Sequence, residues 1–371
     1  MARIAVLGAG VMGTALTFPL SDNGHDIRLI GTHLDDAIIA SCRAAGAHPR
    51  LGRALPPGVR PYAFGEIADA LDGADVIALG VNSRGVRWAG QVLAQHLRPG
   101  QRVLMVTKGL VADANGDLRI FPELLTDEWP DALRASVSVA AIGGPSIAGE
   151  LAARRQTAVV FTCRDAATLS YLAPLFATSY YHIWTSTDII GVEVCVAMKN
   201  VYALGVGLVP GLLEATGGPD GNAGMHNHAA AFFAQGLAET AQLVQLLGGG
   251  LETVFGLPGA GDLYVTTQGG RNSRMGRLLG MGMDHEEAAD QMAGESVEGL
   301  DAALAIAPAV ERLIGRGVLP PNALPLLRQI YAVAVKGRPF ESNFDQFFQQ
   351  GFLKLNQESG VRSQESEYSD S

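Results

Sequence analysis

ARIAVL–GAGVMG, residues Ala2 to Gly13, sets a short apolar strand directly against a glycine-rich turn. Gly8, Gly10 and Gly13 have the spacing of a dinucleotide loop. The first glycine permits the tight turn, the second lets the backbone approach a pyrophosphate, and the third allows close helix–strand packing. The helix expected to follow, entered through Val11 and Met12, turns its N-terminal amides toward the phosphates. The glycine pattern is weak by itself, and the strand before it and helix after it supply the context it needs. Pro19 is expected to kink that helix or end it early.

Working outward, a second strand at Asp26–Ile30 ends in Gly31, Thr32 and His33. A site specific for NAD places an acid here to bind the ribose 2′-hydroxyl. None stands at the strand end, and Asp35 and Asp36 are expected to cap the next helix. Thr32, His33 and nearby Arg28 would tolerate a 2′-phosphate, so NAD and NADP both stay open, with a lean toward dual or NADP use. A helical stretch and a proline-rich loop, 55–61, come next. A strand over 75–81 leads into Asn82 and Ser83, where a loop should line the cofactor. A strand over 102–106 ends in Thr107, Lys108 and Gly109. Ligands sit at such carboxyl ends in parallel sheets, which favours Lys108 as a ligand contact over a solvated loop lysine.

A strand over 136–142 breaks at Gly143-Gly144-Pro145-Ser146 into a helix containing Glu150. Strands over 157–163 and 180–185 flank a helix at Ala166–Phe176. The alternation predicts an α/β fold, a Rossmann-type doubly wound sheet, followed by an all-helical C-terminal domain. The boundary falls at Ser186–Asp188, giving residues 1–187, 188–337 and an extension over 338–371. Phe344, Phe347, Phe348 and Phe352 recur at helical spacing in that extension, and are expected to pack on the body or on a neighbouring subunit. The polar end reads as a disordered tail.

The chain has 371 residues, 48% of them hydrophobic, with a formal charge of −10. The length allows two domains with real cores, and the acidic balance argues against nucleic acid as a partner. Cys42, Cys163 and Cys195 show neither a disulfide framework nor zinc spacing, which suits a reducing cytoplasm. The chain enters its first strand without a charged leader, and no apolar run reads as a membrane span. His226 and His228 lack further ligands at suitable spacing, so no metal is expected.

Gly191 to Gly207, GVEVCVAMKNVYALGVG, is apolar almost all round and belongs in the middle of a domain. An ammonium at Lys199 is costly there unless it is paired or used, and desolvation lowers a lysine pKa into the range of acid–base chemistry. Asp262, in a glycine-rich loop, is the natural partner. Arg271 and Asn272, just ahead of a helix, combine fork donors with N-terminal amides and suit a phosphate.

Several of these pieces recur in order and spacing: GAGVMGTAL from Gly8, NGH from Asn23, TKGL from Thr107, GGPSIAGEL from Gly143, GVEVCVAMKNVYALGVG from Gly191, GLPGAGDLYVTT from Gly256, GGRN from Gly269 and VEG from Val297. From Arg3 to about Gly337 they resemble the NAD(P)-dependent glycerol-3-phosphate dehydrogenase family of bacterial type. The resemblance implies reversible hydride transfer between nicotinamide and dihydroxyacetone phosphate, giving sn-glycerol 3-phosphate for glycerophospholipid synthesis. It also implies a cytoplasmic homodimer. Lys199 matches the family's catalytic acid–base, and Lys108 a lysine at the substrate carbonyl. Asn200, Asp262 and Thr266 match the hydrogen-bonding network around it, and Arg271 and Asn272 the phosphate pair. Cofactor contacts are expected from Gly8, Gly10, Val11, Met12 and Gly13, from Thr32, His33, Ser83 and Lys108, and from Ser146, Ala148, Arg271, Val297 and Glu298.

The sequence also departs from the pattern. Asn82 stands where relatives have proline, and Gln235 where they have arginine. Asn222 and Asn227 compete to match a single asparagine. The alternatives are a two-domain dehydrogenase acting on another hydroxy or keto substrate, and a non-catalytic nucleotide sensor. GGRN with the full motif series argues against the first, and the retained Lys199, Asp262 and Arg271 against the second.

Overall fold

The strand predicted at the start of the chain forms as β1, Arg3–Leu7, in the middle of an eight-stranded sheet. A strand covered on both faces reads as a continuous apolar run, and β1 splits its side chains between two cores. Ile4 and Val6 pack with Leu16 and Leu29, and Ala5 and Leu7 with Leu93, Leu125 and Trp129. The other strands are β2 (Asp26–Ile30), β3 (Val59–Tyr62), β4 (Val76–Leu79), β5 (Arg102–Met105), β6 (Ser138–Gly143), β7 (Thr157–Thr162) and β8 (Tyr181–Ser186). Their spatial order is β8-β7-β6-β5-β4-β1-β2-β3. Strands β1 to β6 run parallel and in the doubly wound order, so their carboxyl ends share one edge. The computed structural model describes residues 1–341 except Ala114, Asn222 and Gly294, together with Phe344 and Phe347. The expectations for Asn222, Phe348, Phe352 and the polar tail lie outside the described residues.

Five local expectations change. The sheet is mixed, because β7 pairs antiparallel with β6 and carries β8 with it. The connection between β6 and β7 holds only the five-residue helix Ala148–Ala152, too little for a parallel crossover. The proline-rich loop contains a strand, β3, whose Pro61 is tolerated at the sheet edge. The first helix runs through Pro19 to Asp22. Arg28 does not reach a ribose: it is buried and donates to the carbonyls of Asp69, Ala70 and Asp72. Asp35 stands at the helix N-cap position without capping it; its carboxylate accepts from the backbone N–H and the hydroxyl of Thr32 and from the Ala9 N–H.

After β8 every element among the described residues is helical. Helix Ile189–Ala215 is long and apolar enough to cross a membrane, but most of it is buried inside the fold. Helices Arg271–Gly280, His226–Leu247 and Glu298–Gly315 pack around it. Against Arg271–Gly280 the fit is backbone to backbone. A methyl group at Gly276 or Gly280 would strike the carbonyls of Leu204 or Leu208, and one at Gly207 or Gly211 those of Ser273 or Arg277. This close crossing carries the start of the Arg271 helix up to Asn200. Gly143, at the carboxyl end of β6, lies against Val192 and Val196 of the central helix. Lys199 follows Val196 by three residues on the same face, so the lysine projects at the carboxyl edge of the sheet. Met1–Phe340 forms one compact unit; Glu341–Ser371 is a second, described only at Glu341, Phe344 and Phe347.

Candidate active site

The glycine loop has the shape its sequence requires. Gly8 has φ +110, and a Cβ there would lie 2.7 Å from the Gly80 backbone. A Cβ at Gly13 would collide with the Gly8 carbonyl. Gly10 is different, because its nearest neighbour would be 4.0 Å away. The protein leaves room there, enough for a diphosphate to approach the backbone. Val11 is exposed at the start of the helix, while Met12 and Ala148 pack on the core and offer the cleft only their backbones. The Ser146 hydroxyl is buried without a partner. An orphaned hydroxyl just past the carboxyl end of β6 fits a polar cofactor.

At the carboxyl end of β2 Thr32 is nearly buried and donates to Asp35, while His33 is exposed with its ring edge-on to Trp88 at 5.1 Å. Asn82, where the resemblance leads one to expect proline, caps the short turn Ser83–Gly85 by accepting from the Gly85 N–H at 3.0 Å. A capping side chain thus fixes the entry to this turn in place of a locked φ.

Asp262 is the hub of the second half. Its side chain is 1% exposed. Lys199 Nζ donates to Oδ1, and Lys108 Nζ lies 3.5 Å from Oδ2. The chain delivers Asp262 on a π-helical turn, Leu257–Gly261, where the Gly261 N–H reaches back five residues to the Gly256 carbonyl. Such turns re-aim the residue that follows them. Burial pulls the Lys199 ammonium below the usual lysine range; the Asp262 carboxylate opposes this and the Lys108 charge adds to it. Two ammonium groups around one buried carboxylate leave excess positive charge, which an anionic substrate can balance.

A chain of amides continues the site. Asn200 Nδ2 donates to Glu298 Oε2 at 3.1 Å, and Asn272 Nδ2 donates to Asn200 Oδ1 at 2.9 Å. Asn272 Oδ1 accepts from the Gly299 N–H at 2.9 Å. The Asn272 side chain is therefore engaged within the protein, and what it offers an anion is its backbone amide in the first turn of helix Arg271–Gly280. Arg271 is half exposed; it donates to the Ser296 hydroxyl and lies 3.8 Å from Glu298. The Thr266 hydroxyl donates to the Asp262 carbonyl within its own helix. Val297 is buried immediately before the helix that Glu298 begins.

Two buried acids escaped the sequence reading. Glu193 is wholly buried on the central helix, with one oxygen accepting from the Gly109 N–H at 3.4 Å and the other unpartnered. Burial pushes its carboxyl up to about 8. Glu193, like Lys199, is a charged residue type on an otherwise apolar helix, and that incongruity marks it in the sequence. Glu239 accepts from Tyr202, Gln235 and the Leu326 and Leu327 amides. Gln235, where the resemblance leads one to expect arginine, is a neutral donor to a buried acid. A separate cavity of about 510 Å³, lined by Trp184, Val192, Leu257 and Pro258 among others, holds none of the site lysines.

The sequence models described as NAD-dependent glycerol-3-phosphate dehydrogenase N-terminus and C-terminus match residues 3–169 and 188–345. The NADP(+)-dependent glycerol-3-phosphate dehydrogenase of Archaeoglobus fulgidus is 36% identical over 289 residues, covering 78% of this chain and 83% of that protein. The glycerol-3-phosphate dehydrogenase [NAD(P)+] of Streptococcus gordonii is 33% identical over 339 residues, covering 90% and 92%. A crystal structure of glycerol-3-phosphate dehydrogenase from Coxiella burnetii superposes with a TM-score of 0.77 at 29% identity, covering 91% and 96%.

Proposed function

The chain belongs to the NAD-dependent glycerol-3-phosphate dehydrogenase family, and from that membership we propose how its side chains carry out the family's reaction. It is an NAD(P)-dependent oxidoreductase that interconverts dihydroxyacetone phosphate and sn-glycerol 3-phosphate. The observation that carries the assignment of roles is Asp262, buried between Lys199 and Lys108 beside the carboxyl edge of the sheet.

Bound NAD(P)H supplies the hydride for carbon 2. Lys199 is the acid that protonates the ketone oxygen in reduction and the base that takes the alcohol proton in oxidation. Its lowered pKa suits it to both directions. Asp262 holds the Lys199 amine in place and keeps part of its positive character. Lys108 stands on the other side of the same carboxylate, where it can polarise the substrate oxygen. The first-turn amides of helix Arg271–Gly280 and the Arg271 guanidinium receive the substrate phosphate. Asn200, Asn272 and Glu298 fix that helix start relative to Lys199. Gly8, Gly10, Val11 and Gly13 cradle the diphosphate, with Ser146 offering its free hydroxyl.

The division into a cofactor half up to residue 187 and a catalytic helical half after it is supported by the end of the sheet at Ser186 and the start of the central helix at Ile189. Three buried free cysteines support a reducing cytoplasm as the working compartment. A homodimer is the proposed assembly; the exposed Trp184 and Phe255 would gain from being covered. Supplying glycerol 3-phosphate for phospholipid synthesis is the proposed physiological role. The direct test is oxidation of NADH and of NADPH, separately, by the purified protein with dihydroxyacetone phosphate. Turnover with at least one is expected, and absence of both signals would overturn the assignment.

A further inference from the structure

The segment after the second helix folds back over the glycine loop. There Ala47–His48 pairs antiparallel with Arg53–Ala54. His48 is wholly buried, and both ring nitrogens are engaged. The Leu51 N–H donates to Nδ1 at 2.9 Å, so that nitrogen carries no proton. The ring proton of the neutral tautomer therefore sits on Nε2, which lies 2.8 Å from the Ala9 carbonyl and donates to it. On its other side Ala9 is held by its own N–H, which donates to Asp35 Oδ2 at 3.3 Å. The middle residue of the glycine loop is pinned at both ends by side chains outside the loop.

One peptide unit connects this clamp to ligand binding. The Ala9 carbonyl and the Gly10 N–H belong to the same planar trans amide and point in opposite directions. Holding the carbonyl against His48 turns the Gly10 N–H outward, to join the amides of Val11, Met12 and Gly13 that begin the helix without intrahelical acceptors. Gly10 brings little rigidity of its own, and open space surrounds it. We propose that His48 is a positioning residue for the cofactor, fixing the Ala9–Gly10 peptide so that the Gly10 amide faces the dinucleotide diphosphate.

The inference rests on reading the glycine loop as the nucleotide site, and the test separates the two. His48→Gln and His48→Met fill similar volumes, but only glutamine can donate to the Ala9 carbonyl. Binding of NADH and NADPH is titrated by nucleotide fluorescence, alongside steady-state kinetics with saturating cofactor. The methionine variant is expected to bind dinucleotide about five- to tenfold more weakly than the glutamine variant, the effect of one hydrogen bond. Its kcat at saturating cofactor and its KM for dihydroxyacetone phosphate should stay within about twofold of the glutamine variant's. Equal dinucleotide affinity in the two variants, or parallel losses in cofactor and substrate constants, would overturn the role of His48. Failure of the wild-type protein to bind either dinucleotide would instead overturn the nucleotide reading.

Discussion

At the scale of single residues the chemistry turns on charges that the fold removes from water. Lys199 starts from an ordinary value of 10.5 and is pulled down by burial and by Lys108, with Asp262 pulling the other way. Alcohol oxidation needs the neutral amine, so its rate should rise with pH through a midpoint below that of a free lysine. Ketone reduction needs the ammonium and should fall over the same window. Asp262→Asn removes the group that raises the Lys199 pKa, and is expected to move the midpoint to lower pH while slowing both directions. Profiles of kcat in both directions check this; a midpoint that stays put or moves up would remove Asp262 as the lysine's partner. Lys199→Ala should abolish turnover and leave NAD(P)H binding intact, and near-normal activity would sink the mechanism. Glu193 gives a stability prediction. Its carboxyl rises from 4.5 unfolded to about 8 folded, so the folded state favours the protonated form. The resulting stability is fully present below the unfolded value and is lost as pH rises toward 8, at up to about 1.4 kcal/mol per unit of pH. Glu193→Gln should flatten the fall in thermal midpoint between pH 5 and 8, and an unchanged slope would refute the buried neutral acid.

At the scale of elements, the crossing of helices Ile189–Ala215 and Arg271–Gly280 does the positioning. Gly207 and Gly211 on one helix and Gly276 and Gly280 on the other each admit no Cβ without striking the facing backbone. Gly276→Ala would push the helices apart next to the Asn200–Asn272 hydrogen bond. Overpacking of this kind destabilises by roughly 1–3 kcal/mol. The shift should also raise the KM for dihydroxyacetone phosphate more than the KM for NAD(P)H, because the anion site is on the displaced helix. Denaturant titration together with the two KM values decides it; equal changes in both would place the effect elsewhere. The central helix was legible from its apolar content, and Lys199 from its incongruity within it. The glycine contacts were not, since Gly276 and Gly280 look like ordinary weak points until a partner backbone is seen. Edge and reversed elements escaped for related reasons. Val59–Tyr62 contains a proline that reads as a loop, and nothing in the composition of Thr157–Thr162 encodes its direction relative to β6. Arg28 looked like a phosphate ligand from its place beside the cofactor strand, yet three carbonyls of a neighbouring turn claim it.

At the scale of the whole molecule, the sheet and the helices behave as one unit because their shared contacts are buried. Surface pairs such as Arg84–Asp301 at 2.9 Å and Arg316–Asp117 at 3.0 Å also cross between them, but exposed pairs contribute little. Gly143 against Val192 and Val196, and Gly144 against Leu257, bring the strand ends directly onto the catalytic helix and its π-turn. Dinucleotide binding to the first half should therefore stabilise the second half with it. Thermal unfolding of Met1–Phe340 is expected to be a single transition that moves upward as a whole with ligand. At a hundred times its Kd a ligand adds about 2.7 kcal/mol, a shift of several degrees. The same experiment reads cofactor choice. The acid nearest the end of β2, Asp35, already accepts from Thr32 and Ala9. All of these bonds fall on Oδ2, and the strand end itself is Gly31, Thr32 and His33, with no acid at the place where NAD-specific sites hold one against a 2′-phosphate. NADH and NADPH at equal concentration should then raise the midpoint by amounts that differ by less than the equivalent of about 1.4 kcal/mol, a tenfold ratio in Kd. A shift with one dinucleotide and none with the other would show that Thr32, His33 and Asp35 discriminate after all. Two separated transitions, only the lower one moving, would show that the two halves are not coupled.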